Sequence, residues 1–198
     1  MASILKVDTI QDQSGNNIIN ENADTITIGA SGDTVNVVGT LQNNGSGLVS
    51  GITEADQWRL TADKTSNGDF TSNLERVDET SFGGIGTGMT ESSGIFSFPQ
   101  TGIYLIRFNS MGYAIPSDNV YISILVTTNN STYNEFSLTG EGSSNTQFTC
   151  STEAMVDVTD ISNVKVKFNV SSINAGSSIA GNTNSNYTSF TFIRLGDT

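Results

Sequence analysis

The sequence predicts an all-β fold of the sandwich or jelly-roll class. Only 14% of its 198 residues are charged, and 20 residues are glycine. Ser, Thr and Asn are abundant between short apolar runs, which is the composition of a β protein with many turns. The apolar runs recur at intervals of roughly ten residues without an intervening helical pattern, as in antiparallel sandwiches and barrels. A chain of this length can form one well-packed domain with an appendage.

Residues 94–108 (GIFSFPQTGIYLIRF) carry the strongest strand pattern in the chain. β-Branched, aliphatic and aromatic residues fill two short runs, 95–98 and 103–108, which favour strands. Pro99 and Gly102 separate the runs and predict a turn or a sharp corner. The second run is almost continuously apolar, which is typical of a strand buried on both faces. We therefore expect the rest of the fold to be organised around this stretch.

The N-terminal region is built from short alternating segments. Residues 4–10 predict a strand and residues 11–17 a turn. Residues 24–29 and 33–39 form two similar units that each begin with Asp-Thr, alternate β-branched residues and end with Gly. Strands this short cannot bury an apolar edge alone, so we expect them to pair with copies from other chains in an intertwined shaft. The alternative is a simple hairpin with its turn at residues 30–32, packed on the main domain.

Composition divides the chain into two parts. Residues 43–51 (NNGSGLVSG) have the composition of a linker. We therefore expect a β-rich N-terminal segment and linker over residues 1–50, and a main domain over residues 53–198.

A short helix is predicted at the start of the main domain. In the segment ITEADQWRL, residues 52–60, Thr53 can cap a helix and Asp56 suits its first turn. We expect one or two helical turns here, with Trp58 and Leu60 packed against the rest of the domain.

Further strands are predicted by β-prone runs along the remaining chain. These runs are residues 74–77, 120–128, 133–138, 147–150, 154–158, 164–170 and 187–195. Between them lie loops rich in Gly, Ser or Asn, at residues 82–89, 143–145 and 174–185. The last loop is long and polar, which is typical of a variable, exposed loop at the end of a sandwich.

The charge and the missing residue types argue against several functions. The net charge is −12 and the sequence pI is about 4.1, which argues against binding to a nucleic-acid backbone. The chain has no His, so it lacks the usual zinc ligands and the Ser-His-Asp and Cys-His arrangements. Its single Cys, Cys150, cannot form an intramolecular disulfide. We see no signal peptide and no run of membrane-spanning length, so we expect a soluble protein made in a cytoplasm.

No cofactor or metal site is predicted. The Gly-rich segment 83–88 lacks the Lys and the G-x-G-x-x-G order of phosphate-binding loops and is interpreted as a flexible loop. Segments 12–16 and 29–33 do not fit calcium-binding loops, although a calcium ion at a loop between copies of the chain stays an alternative. The carboxylates near the start of the main domain show no pair that stands out as the two acids of a glycosidase. These carboxylates are Asp56, Asp63, Asp69, Asp78 and Glu79.

The pattern F-x-F-P-x-x-G-x-Y-x-x-x-F, from Phe96 to Phe108, resembles the corresponding stretch of C1q/TNF-like domains. Residues 187–195 (YTSFTFIRL) look like the last strand of those domains, in which aromatics alternate with small residues. The resemblance implies a trimeric jelly roll. Within it, Tyr104 and Phe108 are candidates for apolar packing near the three-fold axis; the alternative is that they fill the interior of the sandwich. No collagen repeat precedes the domain, so the N-terminal β segment would drive trimerisation.

A wider set of segments is similar to virion structural and tail-fibre proteins of marine bacteriophages, especially cyanophages. The segments are residues 1–19, 52–60, 74–78, 82–108 and 191–196. This resemblance implies a homotrimeric appendage that is made in the host cytoplasm and located in the virion. It further implies that residues 1–50 anchor the trimer to other tail or capsid proteins, and that residues 53–198 form a head that contacts the host surface.

The head is expected to bind a host receptor through exposed loops, without catalysis, cofactor or membrane insertion. Loop 174–185 is the first choice, and its polar side chains are the candidate contacts: Asn174, Asn182 and Asn184. Loop 113–119 is the second choice, because Tyr113 is an aromatic in a turn-rich segment. The acidic balance favours a protein or a neutral glycan as the receptor. Two alternatives stay open: an architectural capsid or tail decoration protein without a receptor role, and a surface-polysaccharide depolymerase.

Overall fold

All the regular secondary structure in the described residues is β-strand. The computed structural model describes residues 9–11, 13–15, 17–22, 25–28, 31–38, 42–43, 46–47, 51–116, 118–142 and 146–198. None of these residues is helical, which confirms the predicted all-β class. The chain divides into two compact units, Met1–Ser50 and Gly51–Thr198.

The described part of the N-terminal unit contains five short strands. They are β1 (Thr9–Gln11), β2 (Asn17–Asn22), β3 (Thr25–Ile28), β4 (Gln42–Asn43) and β5 (Ser46–Gly47). The first three form an antiparallel sheet in the order β1-β2-β3, and β4 pairs with β5. The predicted strand at residues 4–10 is described only at its end, since residues 4–8 lie outside the described residues. The predicted turn is confirmed at residues 13–15.

The two similar segments of the N-terminal region differ in structure. The first contains strand β3, whereas residues 33–38 of the second form no strand. The prediction of a second strand is therefore wrong for the single chain. Val35 and Val38 are 53% and 94% exposed, and exposed β-branched residues gain little from an extended backbone that has no neighbouring strand. Pairing of this segment with copies from other chains stays a prediction.

The described part of the C-terminal unit contains twelve strands. They are β6 (Ala55–Leu60), β7 (Gly68–Asp69), β8 (Leu74–Arg76), β9 (Thr90–Ser92), β10 (Ile95–Ser97), β11 (Gly102–Ala114), β12 (Asn119–Thr127), β13 (Asn134–Gly142), β14 (Thr146–Val158), β15 (Lys165–Ser171), β16 (Ser178–Ile179) and β17 (Ser189–Gly196). Five predicted strands are confirmed within a few residues, as β8, β12, β13, β15 and β17. The two strands predicted between residues 147 and 158 are one continuous strand, β14.

Two antiparallel sheets build the sandwich. The β11 sheet has the order β14-β11-β17-β6-β8, with β16 beside β11. The β12 sheet has the order β13-β12-β15-β10-β9, with β7 beside β15. Strands that neighbour each other in one sheet are often distant in sequence, such as β6 and β17. This arrangement is a jelly roll, as the sequence predicts.

Aromatic side chains from both sheets meet in the core. Phe108 and Phe190 of the β11 sheet contact Phe168 of the β12 sheet, with ring centroids 5.2 and 4.3 Å apart. Phe96 of β10 contacts Phe168 and Phe192 with centroid distances of 5.5 and 5.2 Å. All five rings are buried. Each such pair stabilises the fold by about 0.5–1.5 kcal/mol beyond the burial of its area.

Strand β11 is buried on one face, and not on both as predicted. The even-numbered residues of Gly102–Ala114 are buried, whereas the odd-numbered ones are half-buried or exposed. The buried set includes Tyr104 and Phe108, which are 1% and 0% exposed. The apolar run looked continuous because Ile103 and Leu105 lie on the outer face, which a single chain covers only in part.

The helix predicted at residues 52–60 is wrong, because this segment forms strand β6. β6 pairs with β17 on one side and with β8 on the other, and two ladders of backbone hydrogen bonds outweigh a weak local helix preference. The two residues that looked like helix signals, Thr53 and Asp56, accept hydrogen bonds from distant parts of the chain instead. The expected packing of Trp58 and Leu60 against the core is confirmed.

Candidate recognition surface

The sandwich has two ends, and the chain enters at one of them. The C-terminal unit begins at Gly51, and the nearby Thr53 hydroxyl accepts a hydrogen bond from Arg194 Nη1 at 3.1 Å. Arg194 Nε also donates to the carbonyl oxygen of Thr101, next to the start of β11, at 2.8 Å. We call this region the entry end, and it is formed by residues 51–54, 99–102 and 194–197.

The opposite end carries both predicted receptor loops. Strand β11 runs away from the entry end, so loop 113–119 begins where β11 finishes, at Ala114. There the backbone N–H of Ile115 donates to the Ser177 hydroxyl at 3.0 Å, which brings loop 113–119 against loop 174–185. We call this region the distal end, and it is formed by residues 61–73, 113–116, 118–119 and 172–188.

A buried carboxylate joins the two loops. Asp118 is 1% exposed, and its carboxylate accepts hydrogen bonds from the backbone N–H of Asn174 at 3.1 Å and from Asn174 Nδ2 at 2.6 Å. Burial alone would raise the pKa of Asp118, but hydrogen bonds from Ser177 and Asn174 outweigh burial and hold the pKa below its ordinary value. The carboxylate is therefore ionised at neutral pH and keeps the two loops in contact.

Loop 174–185 is only partly exposed, which corrects the prediction of a fully exposed loop. It contains β16, and β16 pairs with β11 beyond Asn109, where the pairing of β17 with β11 ends. Ile179 of β16 is completely buried. Residues 174–176 and 183–187 are exposed, whereas residues 177–182 between them are buried or half-buried. A free edge of β11 therefore orders the middle of a segment that looked irregular in sequence.

The three asparagines predicted as contacts differ in accessibility. The Asn174 side chain donates to Asp118, so it stabilises the distal end. Asn182 is half-buried; its backbone N–H donates to the carbonyl oxygen of Leu60 at 2.8 Å, and its side-chain oxygen accepts from the N–H of Asn184 at 2.7 Å. Asn174 and Asn184 are both exposed, but no side-chain hydrogen bond to another loop is described for Asn184, so we take it as the first contact candidate of the three.

Tyr113 lies on a strand, which corrects its predicted place in a turn. It is the penultimate residue of β11 and lies opposite Gln147 of β14 and Ser178 of β16. Tyr113 is 38% exposed on the outer face of the β11 sheet, at the distal end. It is therefore accessible to a partner although its backbone is regular.

Tyr104 and Phe108 fill the interior of the single chain, which was the alternative left open by the sequence. The Tyr104 hydroxyl donates to the carbonyl oxygen of Gln100 at 3.0 Å, and burial raises the pKa of Tyr104 to about 12. Phe108 contacts the rings of Phe70 and Phe190. Because neither side chain reaches the surface of one chain, the surface side chains of a trimer interface would have to be others.

Two groups of exposed or half-buried apolar side chains are such candidates. On the outer face of the β11 sheet, Leu105 lies between Met155 of β14 and Ile193 of β17, and Met155 is 67% exposed. We call these three residues the sheet patch. On β13, at the edge of the β12 sheet, Phe136 and Leu138 are 52% and 50% exposed, and we call them the edge patch. Exposed apolar groups of this kind are typical of interaction surfaces.

The Gly-rich loop 82–89 is held by two buried carboxylates, so the prediction of an unconstrained loop is wrong. Glu54 accepts a hydrogen bond from the backbone N–H of Gly88 at 2.9 Å. Asp56 accepts one from the N–H of Met89 at 2.8 Å. A phosphate-binding loop would offer such backbone N–H groups to its ligand. Here the chain's own carboxylates already bind them.

The carboxylates singled out in the sequence act as separate structural groups. Three of them have a partner each, Asp56 with Arg76, Asp63 with Gly181 and Asp69 with Lys167, whereas Asp78 and Glu79 share Arg59. Within the described ranges, no group of three or more His, Cys, Asp or Glu side chains could hold a metal ion. The calcium segments considered above, 12–16 and 29–33, lie partly outside those ranges. The same ranges contain no helix long and apolar enough to cross a membrane.

The fold has counterparts among solved structures, although the sequence matches no family model and no curated protein. Murine APRIL at pH 5.0 matches with a TM-score of 0.53 and 12% identity, over 72% of this chain and 98% of that chain. Eiger TNF from S. frugiperda matches with a TM-score of 0.54 and 12% identity, over 73% of this chain and 93% of that chain. PRD1 vertex protein P5 matches with a TM-score of 0.46 and 20% identity, over 74% of this chain and 100% of that chain.

The first two matches define the class of fold. The similarity to APRIL and to Eiger TNF extends over nearly the whole of those chains, so this protein contains a TNF-like jelly roll. The predicted C1q/TNF-like fold is thereby confirmed. Likeness at 12% identity establishes the fold alone, because one fold can carry many functions. The resemblance to phage virion proteins stays a prediction.

Two features of the distal end were not predicted from the sequence, although one of them has a compositional signal. Asp118 is one acidic residue in a polar segment, and only its contact with Asn174, 56 residues away, distinguishes it. The segment 61–73 (TADKTSNGDFTSN) gives a compositional signal, since it is a polar run between two strands. That run forms a wall of the cleft described below.

Proposed function

We propose that this chain is a homotrimeric virion appendage protein whose head recognises the host surface with its distal end. One observation supports this role most directly: loops 113–119 and 174–185 are joined at the end opposite the point where the chain enters the unit. An anchoring segment that precedes Gly51 is connected covalently to the entry end. In this proposal the distal end of the head contacts the receptor.

The proposed trimer would form through two different surfaces on each chain. A closed ring with head-to-tail contacts needs a pair of complementary patches. The sheet patch and the edge patch are two such apolar surfaces, on different sheets of the sandwich. Their burial would contribute roughly 25 cal/mol for each Å² of apolar area removed from water. This arrangement supports the trimer that the C1q/TNF resemblance implies.

Recognition by this head would need no catalysis. The chain contains no His, and the carboxylates considered as acids bind cationic side chains or backbone N–H groups of the same chain. A rigid β scaffold with polar loops at one end is well suited to binding. Three copies of a weak site on each head, and several heads on a particle, would raise the avidity through effective concentration.

The experiment changes the exposed tip of the distal end and measures adsorption of particles to host cells. Replacement of residues 183–186 by Gly-Ser-Gly-Ser removes exposed side chains and leaves β16 and the Asp118 contacts in place. We expect the trimer to persist and adsorption to fall. The matched control is the double variant Thr128→Ala and Thr159→Ala, which changes exposed residues away from the distal end and should leave adsorption unchanged.

The two alternatives give different results in the same system. Undiminished adsorption by a folded trimer would contradict the receptor role of this tip and favour an architectural decoration protein. Release of sugars from host surface polysaccharide by the purified protein would favour a depolymerase.

Truncation tests the proposal that residues 1–50 are the anchor and residues 53–198 are the head. A chain that begins at residue 51 keeps all strands of both sandwich sheets, which lie within residues 55–196. We expect it to fold and to fail to join particles. Normal incorporation of the truncated chain would show that residues 1–50 are not the anchor.

A further inference from the structure

A polar cleft opens at the distal end, beside loop 174–185. It has a volume of about 260 Å³ and is lined by residues 62–66 and 70–73, with Leu60 among its apolar contacts. Leu60 and Phe70 are each 1% exposed and form a buried apolar base. Its walls carry four hydroxyl groups, one carboxamide and one ammonium group: Thr65, Ser66, Thr71, Ser72, Asn73 and Lys64. The carboxylate of Asp63 also lines the cleft and accepts a hydrogen bond from the backbone N–H of Gly181.

The backbone around the cleft is fixed by hydrogen bonds. Lys64 and Ile179 exchange two backbone hydrogen bonds, each of 2.9 Å, so one wall is tied to β16. The backbone N–H of Thr61 donates to the carbonyl oxygen of Asn73 at 2.8 Å, which closes the base of the loop. A cleft that is already formed loses little conformational entropy when a ligand binds.

The Lys64 ammonium has no carboxylate at ion-pair distance in the described part of the chain. Its Nζ lies 5.5 Å from the centroid of the Phe70 ring. Burial lowers the pKa of Lys64, and the nearby charge of Asp69 acts in the opposite direction. Asp69 itself accepts hydrogen bonds from Lys167 and Asn169. The ammonium hydrogens of Lys64 are therefore available to a ligand.

We propose that this cleft binds a single sugar residue of a host-surface glycan, with the Lys64 ammonium donating to oxygen atoms of the sugar. Hydroxyl and carboxamide groups both donate and accept hydrogen bonds, which matches the hydroxyl groups of a sugar. The volume lies below the roughly 300–1,000 Å³ of sites for drug-sized ligands, so it admits one ring and not an extended oligosaccharide. The inference rests on the proposed host recognition and specifies the class of ligand that the head recognises.

The experiment is saturation-transfer-difference NMR of the full chain with methyl glycosides of hexoses, N-acetylhexosamines and hexuronic acids. We expect at least one glycoside to bind with a dissociation constant of the order of 1 mM, as for one small site. Lys64→Ala should weaken binding roughly tenfold or more, because it removes a hydrogen bond from a charged group. Lys165→Ala is the matched control, since Lys165 Nζ donates to the carbonyl oxygen of Ile161 and does not line the cleft.

A second variant tests the cleft without removing a charge. Thr71 is exposed, so Thr71→Trp should fill the cleft and abolish the NMR signal of the glycoside while the melting temperature stays the same. The proposal would be overturned if no glycoside bound at about 10 mM. Binding that survives both Lys64→Ala and Thr71→Trp would also overturn it.

The result is separable from that of the adsorption experiment. If no glycoside binds but replacement of residues 183–186 lowers adsorption, host recognition stands and the sugar site is wrong. If a glycoside binds and Lys64→Ala abolishes its binding, but neither Lys64→Ala nor the replacement of residues 183–186 lowers adsorption, the sugar site is right and the role in adsorption is wrong.

Discussion

The carboxylate of Asp118 and the amide groups of Asn174 form a two-point hydrogen bond that joins the loops of the distal end. Asp118→Ala leaves these donors without their acceptor. We expect the free energy of unfolding to fall by about 1–3 kcal/mol, measured by urea denaturation. Asp157→Ala is the matched control, because Asp157 is exposed and should leave stability unchanged. Equal effects of the two substitutions would contradict the structural role of Asp118.

The contribution of Asp118 should also depend on pH. Its pKa in the folded chain is lower than the ordinary value of about 4, so the ionised carboxylate stabilises the fold at every pH above that value. The stabilisation is lost as the pH falls through the lower, folded pKa. The difference in stability between the native chain and Asp118→Ala should therefore be constant from neutral pH downward and decrease below about pH 4. A difference in stability between the two chains that increases on acidification would contradict a lowered pKa of Asp118 in the folded chain.

The sheet patch makes a prediction about assembly. Met155→Glu places a charge in the sheet patch, which is part of the proposed trimer interface, where the charge would lose its hydration without a partner. We expect light scattering to show a trimer for the native chain and a monomer for this variant. Ile161→Glu is the control, because Ile161 is 40% exposed but belongs to neither apolar patch. If Ile161→Glu dissociated the trimer and Met155→Glu did not, the interface would lie outside the sheet patch.

Gly94 should tolerate no side chain. Its φ is +83°, and a Cβ atom there would overlap the carbonyl oxygen of Phe70. Gly94→Ala combines a strained backbone with a clash against rigid backbone, so we expect a loss of about 2–4 kcal/mol in thermal or urea unfolding. Gly83→Ala is the matched control, since no atom lies within 4 Å of the new Cβ and stability should change by less than about 1 kcal/mol.

Glu54 should control the local stability of the Gly-rich loop. Its carboxylate accepts hydrogen bonds from the backbone N–H groups of Thr87 and Gly88. In Glu54→Ala we expect amide hydrogen exchange at these positions to accelerate about tenfold or more, as for the loss of bonds to a charged acceptor. The exposed residue Glu135 provides the control variant, Glu135→Ala. Unchanged exchange in Glu54→Ala would mean that other contacts hold the loop.

Strands were predictable from sequence where the pattern is local, and the miss at β6 shows the limit. β12 and β17 are runs of β-branched and aromatic residues, so their positions follow from composition. The segment that forms β6 contains helix-favouring residues. Its strand conformation depends on pairing with β17, in which Trp58 lies opposite Phe190, more than 120 residues away in sequence. No local pattern in the sequence reports such a partner.

The candidate site was predictable as a set of loops but not as an arrangement. The polar composition of loop 174–185 correctly indicated a turn-rich connection, yet Ile179 is the single large apolar residue in that segment and gives no periodicity. Its burial follows from the free edge of β11. The union of the two loops likewise depends on Asp118, whose partner is 56 residues away.

Strand β17 lies in the middle of the β11 sheet, between β11 and β6, although it is the last described strand in sequence. A ribosome therefore releases β6 and β11 long before the strand that fills the gap between them. Until residues 189–196 emerge, both strands carry unpaired edges, and Phe190 and Phe192 are missing from the core. The sandwich consequently closes late in synthesis, so a prematurely terminated chain would be prone to aggregation.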